Sequence, residues 1–145
     1  MASKIKTKLI AKSGIAATVP SWKSVILRYT DFSTAGLTNN ITCYTLIPGE
    51  FIHDIKIVPT EDFAGGLIAT YTISIGIAGS LLKYSTANNV FTGNTTTTTV
   101  HTPIAGFESL VSSIELKASA ISTVGNLNAA TNGAITLYLL TSTLQ

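Results

Sequence analysis

The stretch Leu67-Ile68-Ala69-Thr70-Tyr71-Thr72-Ile73-Ser74-Ile75-Gly76-Ile77 decides the fold. In an extended chain Leu67, Ala69, Tyr71, Ile73, Ile75 and Ile77 fall on one face, and Thr70, Thr72, Ser74 and Gly76 on the other. A helix would scatter both sets around its circumference. The alternation therefore predicts a strand with one dry face.

The same period extends outward along the chain. Residues 25–29 form a β-branched and aromatic run. In 41–47, Ile41, Cys43, Thr45 and Ile47 share a face, and in 51–58 Phe51, His53, Ile55 and Ile57 do. In 110–118, Leu110, Ser112, Ile114, Leu116 and Ala118 oppose Glu115 and Lys117. In 134–141, Ile135, Leu137 and Leu139 stand in register. The threonine run at 95–100 reads as an edge strand or ordered loop, and 4–10 as a short edge strand or arm. Turn signals punctuate these runs at Pro48-Gly49, Gly65-Gly66, Gly79-Ser80, Gly93-Asn94, Gly106, Gly125-Asn126 and Asn132-Gly133. Asn132-Gly133 is the strongest two-residue hairpin signal. Residues 119–130 offer at most a turn. Seven or eight strands so spaced predict an all-β, single-domain antiparallel β-sandwich of jelly-roll type. Its expected core is Leu67, Tyr71, Ile73, Ile75, Ile114, Leu116, Ile135, Leu137 and Leu139.

Composition narrows the class. The chain has 145 residues, with 23 threonines, 14 serines and one cysteine, and 11% of it is charged. An average soluble domain is about 25% charged. A single cysteine excludes an internal disulfide. No apolar run approaches the ~18 residues of a membrane span. A disulfide module, a membrane protein, a coiled coil and a charged disordered tail are all disfavoured.

The net charge of +2 conceals an asymmetry. Residues 1–30 carry Lys4, Lys6, Lys8, Lys12, Lys23 and Arg28 and no acid, whereas 31–145 carry all seven acids and three lysines. The chain divides into a basic N-terminal arm, 1–20, and a sandwich domain, 21–145. In an extended arm Lys4, Lys6 and Lys8 share one face and Ile5 and Leu9 the other. Lys4, Ile5, Lys6, Lys8, Leu9 and Lys12 are thus the candidate partner-binding residues, suited to an acidic protein surface. Nucleic acid is disfavoured, because no aromatic is interleaved with these lysines and arginine is scarce. Lys12 and Gly14 break the apolar stretch that a signal peptide needs, so synthesis and folding in a cytoplasm are expected. The sequons at Asn40 and Asn94 are then chance matches in a threonine-rich chain.

His53-Asp54 resembles an acid–base pair, but strand neighbours point to opposite faces, so a structural histidine is the expectation. His101 precedes Thr102-Pro103 in an expected loop. Two histidines and one cysteine lack zinc-ligand spacing. Glu61-Asp62 supplies too few oxygens for calcium. Cys43 sits mid-strand and reads as a small hydrophobe. Gly76-Ile77-Ala78-Gly79 lacks the lysine, hydroxyl and helix of a phosphate cradle. No enzyme activity, metal or cofactor is implied. Trp22, Tyr29, Tyr44, Tyr71, Tyr84 and Tyr138 could build a sugar-stacking platform, as in carbohydrate-binding sandwiches, although core or interface packing is the commoner use of strand aromatics.

The stretch Tyr44-Thr45-Leu46-Ile47-Pro48-Gly49-Glu50-Phe51-Ile52-His53-Asp54-Ile55-Lys56-Ile57 resembles a pattern in small virion proteins of tailed bacteriophages. In that pattern a strand ends in a Leu-x-Pro-Gly turn, and the next strand carries an aliphatic–lysine–aliphatic motif. Phe63 to Gly76, and the late segment 112–140 with Gly125-Asn126-Leu127-Asn128, continue the likeness, which covers residues 22–141. The resemblance implies a non-enzymatic virion component, most concretely a capsid decoration or cementing protein that self-associates. Collar, tail or fibre proteins fall in the same class. Implied partners are the major capsid protein or neighbouring structural subunits and further copies of the chain, with no membrane. The alternative from another class is a carbohydrate-binding module.

Overall fold

The computed structural model describes residues 18–91, 98–99 and 109–144. Two four-stranded sheets face each other. Their strands are β1 (Ser21–Arg28), β2 (Thr38–Leu46), β3 (Glu50–Ala64), β4 (Thr72–Ile77), β5 (Asn88–Asn89), β6 (Thr98–Thr99), β7 (Ile114–Ile121) and β8 (Asn132–Thr143). One sheet has the order β1-β8-β3-β6, the other β2-β7-β4-β5. All pairings are antiparallel. The pairs β1·β8, β2·β7, β3·β6 and β4·β5 nest as one long hairpin folded over on itself, which is the jelly-roll arrangement. Short 3-10 turns at Tyr29–Phe32 and Leu127–Ala129 are the only helical elements among the described residues. None of them is long or apolar enough to cross a membrane.

The core lies between the sheets. Tyr71, Ile73, Ile75, Leu116, Ile135, Leu137 and Leu139 are fully buried, as their alternation predicted, together with Phe32, Phe63, Ile57 and Leu127. The rings of Phe63 and Tyr71 lie 4.7 Å apart, and those of Phe32 and Phe63 6.3 Å apart. The Tyr71 hydroxyl is buried with no hydrogen-bond partner, and burial pushes its pKa well above the usual tyrosine value.

Five expectations are corrected. Leu67 is 80% exposed. It lies in a turn closed by the Ile68 N–H to the Gly65 carbonyl, 3.1 Å, with Gly65 and Gly66 both at positive φ, and ladder pairing starts only at Thr72. Ile114 is half-buried at the core margin. The Leu110 end of its expected strand precedes β7, and Leu110 itself is exposed. Asn132-Gly133 is not a hairpin turn; it opens β8, with Asn132 opposite Ala64. A Cβ on Gly133 would lie 2.5 Å from the Phe63 ring, so glycine is needed there for close packing.

The fifth correction concerns faces. The registers of β2 with β7 and of β3 with β8 shift between Thr42 and Tyr44 and between Ile52 and Asp54. A bulge inserts one unpaired residue and switches the alternation beyond it. Cys43 and Leu46 are therefore both buried, and so are Ile52, Ile55 and Ile57, while Thr45 and Ile47 are exposed and Phe51 and His53 half-buried. The turns at Pro48-Gly49, Gly79 and Gly125 place their glycines at positive φ as their sequences suggest. Of the threonine run, Thr98–Thr99 forms the short edge strand β6 on Lys56 and Ile57.

Candidate functional site

The candidate arm residues Lys4, Ile5, Lys6, Lys8, Leu9 and Lys12 lie outside the described residues, as do His101, Gly93-Asn94 and Gly106. Two other members of the basic N-terminal block are described: Lys23 and Arg28, both in β1.

Lys23 is committed inward. Its ammonium donates to Glu50 Oε1 at 2.5 Å and to the Tyr44 hydroxyl at 2.7 Å. Tyr44 in turn donates to Glu50 Oε1 at 2.9 Å, and the Ile47 N–H to Oε2 at 3.0 Å. The turn at Pro48-Gly49, closed by the Glu50 N–H to the Ile47 carbonyl, brings that N–H within reach. Glu50 is only 1% exposed. Burial alone would raise its pKa, but the Lys23, Ile47, Tyr44 and Thr141 hydrogen bonds together hold it below the usual glutamate value. For Lys23, burial opposes the charge while Glu50 and Tyr44 favour it, and its pKa is raised. This cluster ties β1, β2 and β3 together at one end of the sandwich. The sequence hides it, since an acid after Pro-Gly reads as a solvated turn residue and its lysine lies 27 positions away.

The residues singled out as candidate chemistry take structural roles. His53 lies at the bulge between Ile52 and Asp54. His53 Nε2 lies 2.6 Å from Ser142 Oγ, its ring packs at a tilt against Phe51 with centroids 4.5 Å apart, and Asp54 Oδ1 accepts from the Ile55 N–H at 2.8 Å. Cys43 donates weakly to the Leu116 carbonyl at 3.5 Å, and burial pushes its pKa up to about 12, which keeps the thiol protonated and inert. Among the described residues no three His, Cys, Asp or Glu side chains come together as a metal site.

The surface feature that stands out is the outer face of the β1-β8-β3-β6 sheet. Register lines up Trp22–Leu140–Asp54, Ser24–Tyr138–Lys56 and Ile26–Thr136–Val58 across its three long strands. Trp22, Ile26 and Tyr138 are exposed, at 47%, 57% and 36%. Trp22, Lys56, Val58 and Tyr138 line a groove of about 410 Å³, and the Lys56 ammonium sits 5.6 Å from the Trp22 ring centroid. Of the six aromatics weighed from sequence, Tyr71 and Tyr84 are buried and Tyr29 and Tyr44 half-buried. Only Trp22 and Tyr138 reach this surface. Lys56 and Val58 were not singled out for this surface, because their place beside Trp22 and Tyr138 follows from the pairing of β3 and β1 with β8.

The opposite outer face differs in kind. Its rows are Thr38–Ile121–Thr72, Asn40–Ser119–Ser74 and Thr42–Lys117–Gly76. Lys117 donates to Thr42 Oγ1 and Glu115 Oε2, both at 2.7 Å. Ser74 and Ser119 are buried. The segment 80–82 crosses over Gly76, where a Cβ would meet the Ser80 carbonyl oxygen at 2.2 Å. Ser85 Oγ anchors that segment by accepting from the Ile75 N–H at 2.8 Å.

Fold and surface together define a jelly roll with Trp22, Ile26 and Tyr138 exposed on one outer face. The structure is similar to a chain of the cyanophage Pam1 capsid asymmetric unit, with a TM-score of 0.52 and 17% identity, over 89% of this chain and 84% of that one. A chain of the acidic stable capsid structure of Helicobacter pylori bacteriophage KHP30 also matches, with a TM-score of 0.49 and 11% identity, over 87% and 90% of the two chains. No family model and no curated protein matches the chain.

Proposed function

We propose that the protein is a non-enzymatic structural component of a bacteriophage virion, most concretely a capsid decoration or cementing protein that self-associates. The observation that carries this reading is the jelly roll it shares with a chain of a phage capsid asymmetric unit over most of both lengths. The bare face around Trp22 and Tyr138 supports it, because exposed aromatics in a charge-poor surface suit a protein interface. The basic arm 1–20 is the second contact, with Lys4, Lys6, Lys8 and Lys12 toward acidic groups of a neighbouring subunit and Ile5 and Leu9 toward apolar surface.

The test is quantitative mass spectrometry of purified particles. Hundreds of copies per particle support a head location; about a dozen point instead to the collar and a few to a tail tip. Absence from particles overturns the reading. Particle binding by the full chain should weaken as salt rises, since exposed charge contacts are screened beyond roughly 10 Å at 0.1 M.

A carbohydrate-binding module is the second reading, favoured by Trp22 and Tyr138 flanking the groove on that face. A glycan pull-down that retains the wild-type chain and loses the Trp22→Ala variant, without assembly on particles, would select it.

A further inference from the structure

We propose that β1 is a self-pairing edge: two copies of the chain join antiparallel through Ser21–Arg28, merging their β1-β8-β3-β6 sheets into one. The inference rests on the self-associating reading above and gives it a surface.

The sandwich has four sheet edges, β1 and β6 in one sheet and β2 and β5 in the other. A strand edge left open offers unpaired N–H and C=O groups to another chain, and proteins blunt such edges with short strands, bulges, prolines or charges. β5 and β6 are two residues long. β2 carries the bulge between Thr42 and Tyr44. β1 is neither short nor bulged, and its two charges, Lys23 and Arg28, leave Ser24 to Leu27 uncharged between them. Its eight residues pair with β8 in unbroken register from Ser21↔Thr141 to Arg28↔Ala134, contain no proline, and have no partner on the other side among the described residues. Its inward charge, Lys23, is already neutralised by Glu50. Its outward residues include Trp22 and Ile26, both largely exposed.

The occupant follows from charge and symmetry. In an antiparallel pair centred on Val25, each Trp22 stands opposite the second copy's Arg28, Lys23 opposite Leu27, and Ser24 opposite Ile26. No like charges oppose each other, and a guanidinium meets an indole, an attractive pairing. A two-fold contact of this kind uses the same edge on both copies and closes on itself, so it ends at a dimer rather than a fibre. The bare aromatic faces of the two sheets then run together as one surface.

The test uses the full chain in dilute buffer with no particle present, so that it can fail separately from the virion reading. Sedimentation velocity across a dilution series should show a monomer–dimer equilibrium. Ile26→Lys should weaken it about a hundredfold by setting two like charges diagonally across the seam, each opposite the second copy's Ser24. Leu82→Lys, at an exposed position on the opposite side of the sandwich, should leave it unchanged. Under mild oxidation Val25→Cys should cross-link and Ser24→Cys should not, while the native Cys43 is buried. A monomer at every concentration overturns the proposal. Cross-linking through Ser24→Cys in place of Val25→Cys overturns its register. Dimer loss in a Lys4→Glu, Lys6→Glu, Lys8→Glu variant with Ile26→Lys silent would assign the contact to the arm and overturn it as well.

Discussion

The two outer faces of the sandwich are built from the same strand chemistry and end in opposite states. Over β4 and β7 the chain covers itself: segment 80–85 crosses the sheet, and the positions beneath it are Ser74, Gly76 and Ser119. Over β1, β8 and β3 the rows set Trp22, Ile26, Tyr138, Leu140 and Val58 beside Ser24, Thr136, Asp54 and Lys56. The residues beneath the crossing segment are small because backbone lies directly on them. One face is finished within the molecule. The other leaves Trp22, Ile26 and Tyr138 exposed.

Substitutions can break or sharpen that contrast. The largest effect is expected at Gly76→Ala, where the new Cβ would collide with backbone that cannot retreat; a loss of about 3 kcal/mol in denaturant unfolding is expected. An unchanged midpoint would show that segment 80–82 does not lie on that face. Glu50→Ala should cost about as much, roughly 3 kcal/mol, because Lys23, Tyr44 and the Ile47 N–H lose one shared acceptor.

The same carboxylate sets a pH dependence. Its folded pKa is below the unfolded one, so between the two values the unfolded chain binds more protons and stability rises with pH. Melting temperature should therefore fall as pH drops below the ordinary glutamate range, and Glu50→Gln should flatten that slope. A slope identical in the variant would dismiss the cluster as the cause. Tyr71→Phe removes a buried hydroxyl that has no partner and should stabilise by about 1 kcal/mol, read as a higher melting temperature. The smallest effects belong to the outer faces themselves. Lys117→Ala on the finished face should shift melting by under about 2 °C, as exposed ion pairs do. Tyr138→Ala on the bare face should be similarly mild for folding yet weaken association with particles. Equal particle binding by that variant would remove the bare face from the interface.

How much of this was legible in the sequence differs strand by strand. Ile135, Leu137 and Leu139 announced β8, and Leu116 and Ala118 announced β7, because unbroken alternation maps directly onto one face. β2 and β3 were located but their faces were mixed. A bulge costs one residue of register and leaves no mark in composition, so Thr45 was grouped with Cys43, and Phe51 and His53 with Ile55 and Ile57. Leu67 was drawn into the core by an alternation that the Gly65-Gly66 turn interrupts. Asn132-Gly133 misled for the converse reason: its glycine serves the Phe63 ring and not a turn. The bare face was half visible, in that Trp22 and Tyr138 were weighed as a platform, but their adjacency depends on β1 and β8 pairing across more than a hundred residues. The Lys23–Glu50 pair was invisible on the same ground.

The nested pairing also governs how the molecule is made. β8 is the central partner of both β1 and β3, and β7 plays that part between β2 and β4. A ribosome delivers β1 through β6 before either of these strands exists. β1 and β2 therefore wait without their ladders: the β2-β7-β4-β5 sheet cannot close until residues 114–121 have emerged, nor the β1-β8-β3-β6 sheet until residues 132–143 have. Folding of the sandwich is thus expected to wait for β8 and then to run at the millisecond-to-second pace of chains dominated by distant contacts. During that interval the exposed strands are vulnerable to chaperone capture or to association with other nascent chains.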